Sequence, residues 1–302
     1  MANITKNDVQ ALLEPGLKKL FMENYLKYNE GASYKEIATE VASSQDTENY
    51  GWLADLPEMR EFIDERVINS IGEQTYYLPN KTWENTIGVN RAVLEDEQYG
   101  QIQMRINQLA KNTSSHKDKL TFQTLIDGAT NLCFDGKAFF ATNHAYSGKG
   151  AYKGSQSNKG NLTLTADNLK TSITNMGKIK GSNGEVLGII PDTLVVPPDL
   201  EWTAKELIES SQLGNSNTVN TLKGSLKLIV SPVITDVDSW YLLCCSQGIK
   251  PLIFQNRMDV EFTSLTKDSE EGFMRDVYLY GVRARYNVGY SYWQLAYANI
   301  PA

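Results

Sequence analysis

An apolar stripe at three- and four-residue spacing runs along residues 99–128, and this is the pattern of one face of a helix. The positions at this spacing are Tyr99, Ile102, Ile106, Leu109, Thr113, His116, Leu120 and Gln123, and they are mostly apolar. An acidic run at residues 95–97 favours a helix N-terminus, and Gly128 suits a C-terminal cap. The pattern therefore predicts one helix of about 30 residues, about 45 Å long, a length that few globular folds contain.

The middle of this helix is polar. Between residues 112 and 119 the stripe is interrupted by polar side chains, among them Lys117. A helix face without apolar residues ordinarily faces solvent or a partner chain. We therefore expect this part to face water or another chain, with a break near residues 112–116 as the alternative.

The charge and the cysteines exclude several classes of protein. The formal net charge of −7 argues against a dedicated nucleic-acid binder, which carries basic residues for the phosphates, although an acidic protein can still enclose DNA. No segment approaches the about 20 apolar residues of a membrane span, and no signal peptide is evident. We expect a protein made and folded in the cytosol, with its three cysteines reduced and mostly buried.

The first third of the chain reads as an arm followed by a hairpin. Residues 1–58 combine an amphipathic segment around Leu12, Leu17 and Phe21 with a polar run, so we expect an arm that needs a partner surface. Residues 59–92 predict a long β-hairpin and its lead-in, with a turn at residues 79–81. A lone hairpin is marginally stable in water, so this one would need to lie on a neighbouring subunit.

The remainder divides around a low-complexity loop at residues 148–160. Residues 93–164, with the long helix, form one predicted unit. Residues 165–272 alternate helical and strand patterns and predict a compact α/β subdomain. Residues 273–302 alternate over many positions and are rich in tyrosine, which predicts long strands that return to the sheet of the first half. The fold class is therefore α+β.

The stretch LCFDGKAFFATNH sets Cys133, Asp135 and His144 within a dozen residues and raises the question of a cysteine hydrolase. Nearness in sequence is weak support, because catalytic cysteine and histidine usually come from distant parts of a chain. We interpret Cys133 as a buried structural cysteine, since no basic neighbour lowers its pKa. The chain also lacks paired metal-ligand spacings and a phosphate-binding glycine loop, so we expect no catalytic residue, no metal and no cofactor.

Aromatic residues are abundant, with 16 tyrosines and five tryptophans. On strands they stack nucleic-acid bases or sugars in some proteins, and in others they form large protein interfaces. The acidic net charge favours the interface. Within the predicted hairpin, the candidate interface residues are Tyr76, Tyr77 and Trp83.

Four blocks of this sequence resemble the Mu-type phage major head subunit family, and they occur in the family's order. The first runs from Trp52 through LADLPEMREFIDERVINSIGEQTYYLPNKTWENTIGVNRAVLEDEQYG. The second is DGKAFFATNH, the third DTLVVPPDLEWTAKELIES and the fourth DVYLYGVRARYNVGYSYWQLA. Together they cover nearly the whole chain beyond the arm.

The resemblance implies an HK97-like capsid fold. In this fold the four parts are an N-terminal arm, an extended hairpin called the E-loop, a peripheral domain with a long spine helix, and an axial domain. It also implies homo-oligomers, as hexamers and pentamers of an icosahedral shell around double-stranded DNA, with separate scaffold, protease and portal proteins. Assembly would occur in the cytoplasm of a bacterial host, without a membrane. Phe139 and Phe140 would be packing residues, and His144 a turn or interface hydrogen bonder.

Three alternatives remain at this point. An encapsulin-like compartment shares the fold and encloses enzymes in place of a genome. A cytosolic cysteine hydrolase would use Cys133 and His144. A carbohydrate- or nucleic-acid-binding module would use the tyrosine-rich strands.

Overall fold

The computed structural model describes residues 6–51, 76–92, 99–146, 152–212, 219–266 and 269–301. Its helices are α1 (Lys6–Glu30), α2 (Tyr34–Ile37), α3 (Tyr99–Asp127), α4 (Ala166–Gly177), α5 (Glu201–Glu209) and α6 (Glu270–Arg275). Its first strands are β1 (Ala38–Ala42), β2 (Thr47–Asn49), β3 (Tyr77–Pro79), β4 (Lys81–Asn90), β5 (Lys159–Gly160) and β6 (Thr193–Val196). The later strands are β7 (Lys227–Val230), β8 (Trp240–Leu243), β9 (Leu252–Leu265), β10 (Val277–Tyr290) and β11 (Ala296–Asn299).

The predicted spine helix is present as α3, which runs unbroken for 29 residues. The expectation that its polar middle faces water or another chain is wrong for Ser114 and Lys117, which are 3% and 4% exposed. Thr113, Thr121 and Thr124 donate hydrogen bonds to carbonyls four residues earlier, which satisfies their hydroxyls without solvent. Polar side chains thus line a buried stretch of the helix.

The arm helix α1 packs on its own chain. Leu17, Phe21 and Tyr25 are buried, and the ring centroids of Phe21 and Phe262 lie 5.1 Å apart. After α2 the chain enters β1, which pairs in parallel with β9. The polar run that follows contributes β2, which pairs with β3. This described part of the arm buries Leu17, Phe21 and Tyr25 within the subunit, whereas Leu26 and Tyr28 are 55% and 40% exposed, and the need for a partner surface stays a prediction.

A four-stranded sheet, in the order β1-β9-β10-β4, lies against α1 and α3. Strand β4 pairs antiparallel with β10 over its whole length, from Lys81 opposite Tyr286 to Asn90 opposite Val277. The predicted hairpin with its turn at residues 79–81 is wrong, because β3 pairs with β2 and β4 with β10. The apolar residues of β4, Trp83, Ile87 and Val89, lie on one face of the strand and pack against the core. Its predicted lead-in, residues 59–75, lies outside the described residues.

A second sheet of five strands has the order β5-β11-β8-β6-β7. Its central strands β6 and β8 are buried at every position, while α4 contacts β11 and α5 contacts β7. The predicted helices and strands of residues 165–250 are confirmed. The predicted boundaries at 165 and 272 are wrong, because β9 belongs to the first sheet and β5 and β11 belong to the second. The buried residues of both sheets form one continuous core.

Candidate functional site

Cys133, Asp135 and His144 meet in the connection between α3 and the second sheet. The Cys133 thiol donates to Asp135 Oδ1 across 3.1 Å, and His144 Nδ1 lies 2.6 Å from Asp135 Oδ2. The carboxylate therefore stands between the thiol and the imidazole, and neither hydrogen bond joins Cys133 to His144. A catalytic pair needs the base on the nucleophile, so this order is unsuited to nucleophilic catalysis.

The environment also keeps the thiol protonated. Burial, followed by the adjacent Asp135 carboxylate, raises the pKa of Cys133 far above its ordinary value of 9.0. Since the thiolate is the nucleophile, we expect the native protein to react with Ellman's reagent at Cys133 at least about 100-fold more slowly than free cysteine at pH 8. Stopped-flow absorbance, with peptide mass spectrometry to assign the site, measures this rate. Reaction at the rate of free cysteine would revive the hydrolase.

Asn158 fixes the orientation of His144. Its Nδ2 donates to the carbonyls of Phe139 and Trp293, and its Oδ1 accepts from the backbone N–H of Ala141. Oδ1 is thus an acceptor, and His144 Nε2, 3.1 Å away, must donate to it. Phe139, Asn158 and His144 are 0% exposed, so this network belongs to the interior. The prediction of His144 as an interface hydrogen bonder is therefore wrong, because its side chain is buried inside the subunit.

Aromatic rings surround the network. The His144 ring stacks on Trp293 with centroids 4.1 Å apart and planes 3° from parallel. Phe139 stacks on Tyr290 at 4.6 Å, and Phe140 lies 5.6 Å from Tyr241 of the second sheet. The predicted packing role of Phe139 and Phe140 agrees with these contacts. The stretch LCFDGKAFFATNH therefore joins the end of α3 to both sheets.

The Asp135–His144 contact is expected to make the free energy of unfolding fall at acidic pH. Burial alone would raise the pKa of Asp135, but hydrogen bonds from His144 and Cys133 outweigh it and hold the pKa below the ordinary 3.8. A carboxyl with a lowered folded-state pKa contributes stability that is present above 3.8 and is lost as the pH falls through the folded value. Urea unfolding between pH 7 and pH 2 is expected to show this loss in the wild type. The Asp135→Asn variant should have a smaller slope, and equal slopes would contradict the assignment.

The three interface candidates fall into two groups. Tyr76 accepts at its hydroxyl from the Tyr290 backbone N–H, and Trp83 Nε1 donates to the Tyr286 carbonyl across 2.9 Å. The Trp83 ring also lies 4.4 Å from that of His116 on α3. Tyr77, by contrast, is 61% exposed. Tyr76 and Trp83 therefore hold β3 and β4 to the sheet, and of the three only Tyr77 offers most of its side chain to another molecule.

Sequence reasoning missed the most exposed apolar side chains. Phe273 and Met274 on α6, at the tip between β9 and β10, are 85% and 70% exposed. Trp202 on α5 and Ile190 before β6 are 74% and 73% exposed. The helical spacing held the signal for Trp202, because Ala204, Leu207 and Ile208 form the opposite, buried face of α5. Adjacent exposed apolar residues of this size are typical of surfaces that bind another protein.

Comparison with known proteins decides the family. The family model described as "Mu-like prophage major head subunit gpT" matches residues 10–163, 159–234 and 235–301. The chain belongs to the Mu-like prophage major head subunit family. No helix in the described part of this head subunit is long and apolar enough to cross a membrane.

Two curated relatives have names that agree with this family. The Mu-like prophage FluMu major head subunit of Haemophilus influenzae is 28% identical over 299 residues, which span 99% of this chain and 75% of the relative. The major capsid protein of Escherichia phage Mu is 26% identical, over 95% of this chain and 74% of its own length. The head subunit described here therefore spans about three quarters of these relatives.

Solved capsid structures share the fold. A chain of the bacteriophage JBD30 procapsid is 29% identical with a TM-score of 0.57, and the match covers 96% of this head subunit and 76% of that chain. A virus-like particle from Pyrococcus furiosus is 14% identical with a TM-score of 0.53, covering 93% and 98% of the two chains. The fold is HK97-like, as the sequence blocks predict, and the second likeness concerns the fold alone.

Proposed function

We propose that this head subunit is the major capsid protein of a tailed bacteriophage or prophage, and that it assembles through hexamers and pentamers into an icosahedral shell. The observation that carries the proposal is the family match, which extends over residues 10–301 in three consecutive segments. The HK97-like fold supports it independently. The cysteine hydrolase has no support in the geometry, since Asp135 separates the thiol from the imidazole.

A shell requires each subunit to present a surface that its neighbour covers. Contacts between unlike surfaces of successive copies generate closed rings when the rotation between copies closes. Tyr77, Trp202, Phe273 and Met274 are exposed apolar side chains at three separate places of the fold, which suits contacts with several neighbours. Burial of such side chains between subunits supplies the driving force for assembly.

The charge suits a container for DNA. With a formal net charge of −7, the subunit offers few phosphate contacts, so enclosed double-stranded DNA would be held weakly and remain free to enter and leave. Packaging would use separate scaffold, protease and portal proteins, and assembly would take place in the cytoplasm of the bacterial host. If the shell instead enclosed enzymes, like an encapsulin, purified particles would contain protein cargo and no protected DNA.

Tyr77 is the first interface residue to test. The Tyr77→Ser variant is expected to keep its free energy of unfolding within about 0.5 kcal/mol, because the side chain makes little contact within the subunit. The protein concentration needed for assembly should rise about tenfold, which corresponds to the loss of a contact worth about 1.4 kcal/mol. Sedimentation velocity over a concentration series measures the assembled fraction.

Trp83→Phe is the matched control, since it loses the hydrogen bond to Tyr286 within the subunit. It is expected to lower the free energy of unfolding by about 1 kcal/mol without a specific effect on assembly. Unchanged assembly of the Tyr77→Ser variant would remove Tyr77 from the interface.

The oligomeric mass tests the proposed function. The protein is co-expressed with its neighbouring genes and analysed by size-exclusion chromatography with light scattering. We expect species near five and six times the subunit mass of 33.8 kDa, or shells of far larger mass. A strict monomer at high concentration under the same conditions would contradict the proposal.

A further inference from the structure

The cluster that fails as a catalytic triad has the composition of a metal site. Cys133 Sγ, one carboxylate oxygen of Asp135 and one ring nitrogen of His144 all lie within 4.8 Å of one another. Thiolate, imidazole and carboxylate are the three ligand types that zinc takes in proteins. The sequence spacing gave no sign of this, because the ligands are two and nine residues apart and form no familiar zinc motif.

We propose that Cys133 Sγ, Asp135 and His144 Nδ1 bind one zinc ion, with a water in the fourth position. Zinc is favoured because the set mixes sulfur, nitrogen and oxygen, whereas magnesium and calcium take oxygen ligands. The ion would tie the turn after α3 to His144, which pairs with Gln156 ahead of β5. Zinc would therefore clamp the connection between the two sheets.

The distances between the ligand atoms and the positions of their protons are compatible with zinc binding. In the described structure, protons hold the ligands together, at 3.1 Å from Sγ to Oδ1 and 2.6 Å from Nδ1 to Oδ2. Tetrahedral zinc separates such ligand atoms by about 3.3–3.6 Å, and the three candidate ligand atoms lie within 4.8 Å of one another, so small side-chain movements would bring them into position. The ion would displace the thiol proton to solvent, and it would leave a neutral group of Zn²⁺, thiolate, carboxylate and neutral imidazole.

Outer partners already orient two of the ligands. His144 Nε2 donates to Asn158 Oδ1, which leaves Nδ1 for the ion, and metal-binding histidines typically hold their second nitrogen in this way. Asp135 Oδ1 also accepts from the Lys137 backbone N–H at 2.9 Å. Trp293 covers the His144 ring and shields it from water. The imidazole is therefore held in the orientation that turns Nδ1 toward Asp135 and the proposed ion.

Zinc and cobalt titrations of the purified wild-type protein test the site. Cobalt chloride is expected to give visible bands of tetrahedral Co²⁺ together with a near-ultraviolet thiolate-to-cobalt band, at one ion per chain. Calorimetry with zinc chloride in two buffers of different ionisation enthalpy should detect release of the Cys133 thiol proton when the ion binds. A folded wild-type protein without the thiolate band, or zinc binding without proton release, would overturn the proposal.

Variants separate this cluster from the other cysteines. Cys133→Ser is expected to lower the zinc affinity at least about 100-fold and to abolish the thiolate band. Cys244→Ser, at another buried cysteine, should leave both unchanged. Circular dichroism checks that each variant is folded. If Cys133→Ser does not fold, the proton release measured with the wild-type protein still tests the site. Equal zinc affinities in Cys133→Ser and the wild type would overturn the assignment, and none of these results depends on whether the subunit forms shells.

Discussion

Replacing Asn158 with alanine is expected to lower the free energy of unfolding by about 3–5 kcal/mol. The substitution removes the partners of the Ala141 N–H, the Phe139 and Trp293 carbonyls and His144 Nε2. Asn158 is 0% exposed, and each buried group left without a partner costs about 1–3 kcal/mol, less where water enters. Urea unfolding of unassembled subunits, followed by circular dichroism, measures the change.

Asn175→Ala is the matched control, because Asn175 lies on the exposed face of α4. Its effect should stay within about 0.5 kcal/mol. A loss below about 1 kcal/mol in the Asn158→Ala variant would show that the network contributes little, and the account of the connection between α3 and the two sheets would then be wrong.

Replacing Lys117 with glutamate is expected to have the second large effect, a loss of more than about 3 kcal/mol or of soluble protein altogether. The Lys117 ammonium lies 5.3–5.7 Å from four ring centroids, those of Tyr25, Tyr34, Phe254 and Tyr286. Ring faces attract a cation and repel an anion, and a buried carboxylate would also meet Glu40 and Asp259. Soluble yield and urea unfolding report the result.

Two controls separate charge from packing. Lys119→Glu, two residues further on the exposed side of α3, should change the free energy of unfolding by no more than about 0.5 kcal/mol. Lys117→Met keeps an unbranched apolar chain of similar length, and it is expected to stay within about 1.5 kcal/mol of the wild type. Burial lowers the pKa of Lys117 despite Glu40 and Asp259, so we expect loss of its charge to destabilise the fold less than reversal of its charge. A stable Lys117→Glu variant would contradict the cation–aromatic account.

The example of Lys117 shows where sequence reasoning stops. The local pattern predicts the whole of α3 correctly, because helical periodicity depends on neighbours within one or two turns. It assigns Lys117 to water or to another chain, because the rings that cover it come from α1, α2, β9 and β10. Contacts between elements so distant in the chain leave no periodic trace at Lys117 itself.

The hairpin error has the same origin. Pro79 and Asn80 are residue types typical of turns, but the structure has neither a turn nor a bend at residues 79–81. The strands on either side pair with other strands, and Trp83 of β4 stands opposite Ala284 of β10. A turn signal specifies local backbone geometry, whereas the pairing partner is fixed by apolar faces that match across the fold.

The sequence predicts only part of the arrangement of the cluster at residues 133–144. The sequence identifies its members, and it argues against nucleophilic catalysis because Cys133 has no basic neighbour in the sequence to activate it. It missed that Asp135 accepts from both Cys133 and His144, and that Asn158 holds the imidazole from the other side. These contacts depend on the turn at Gly136, where φ is +74°, and on the long return to Asn158.

Electron microscopy of the purified recombinant protein, with and without its co-expressed neighbouring genes, tests the central claim most directly. The account predicts closed icosahedral particles, or rings with fivefold and sixfold symmetry, whose subunits show the β1-β9-β10-β4 sheet and α3 as described. Fields of uniform monomers at high concentration, even with those partners present, would contradict it.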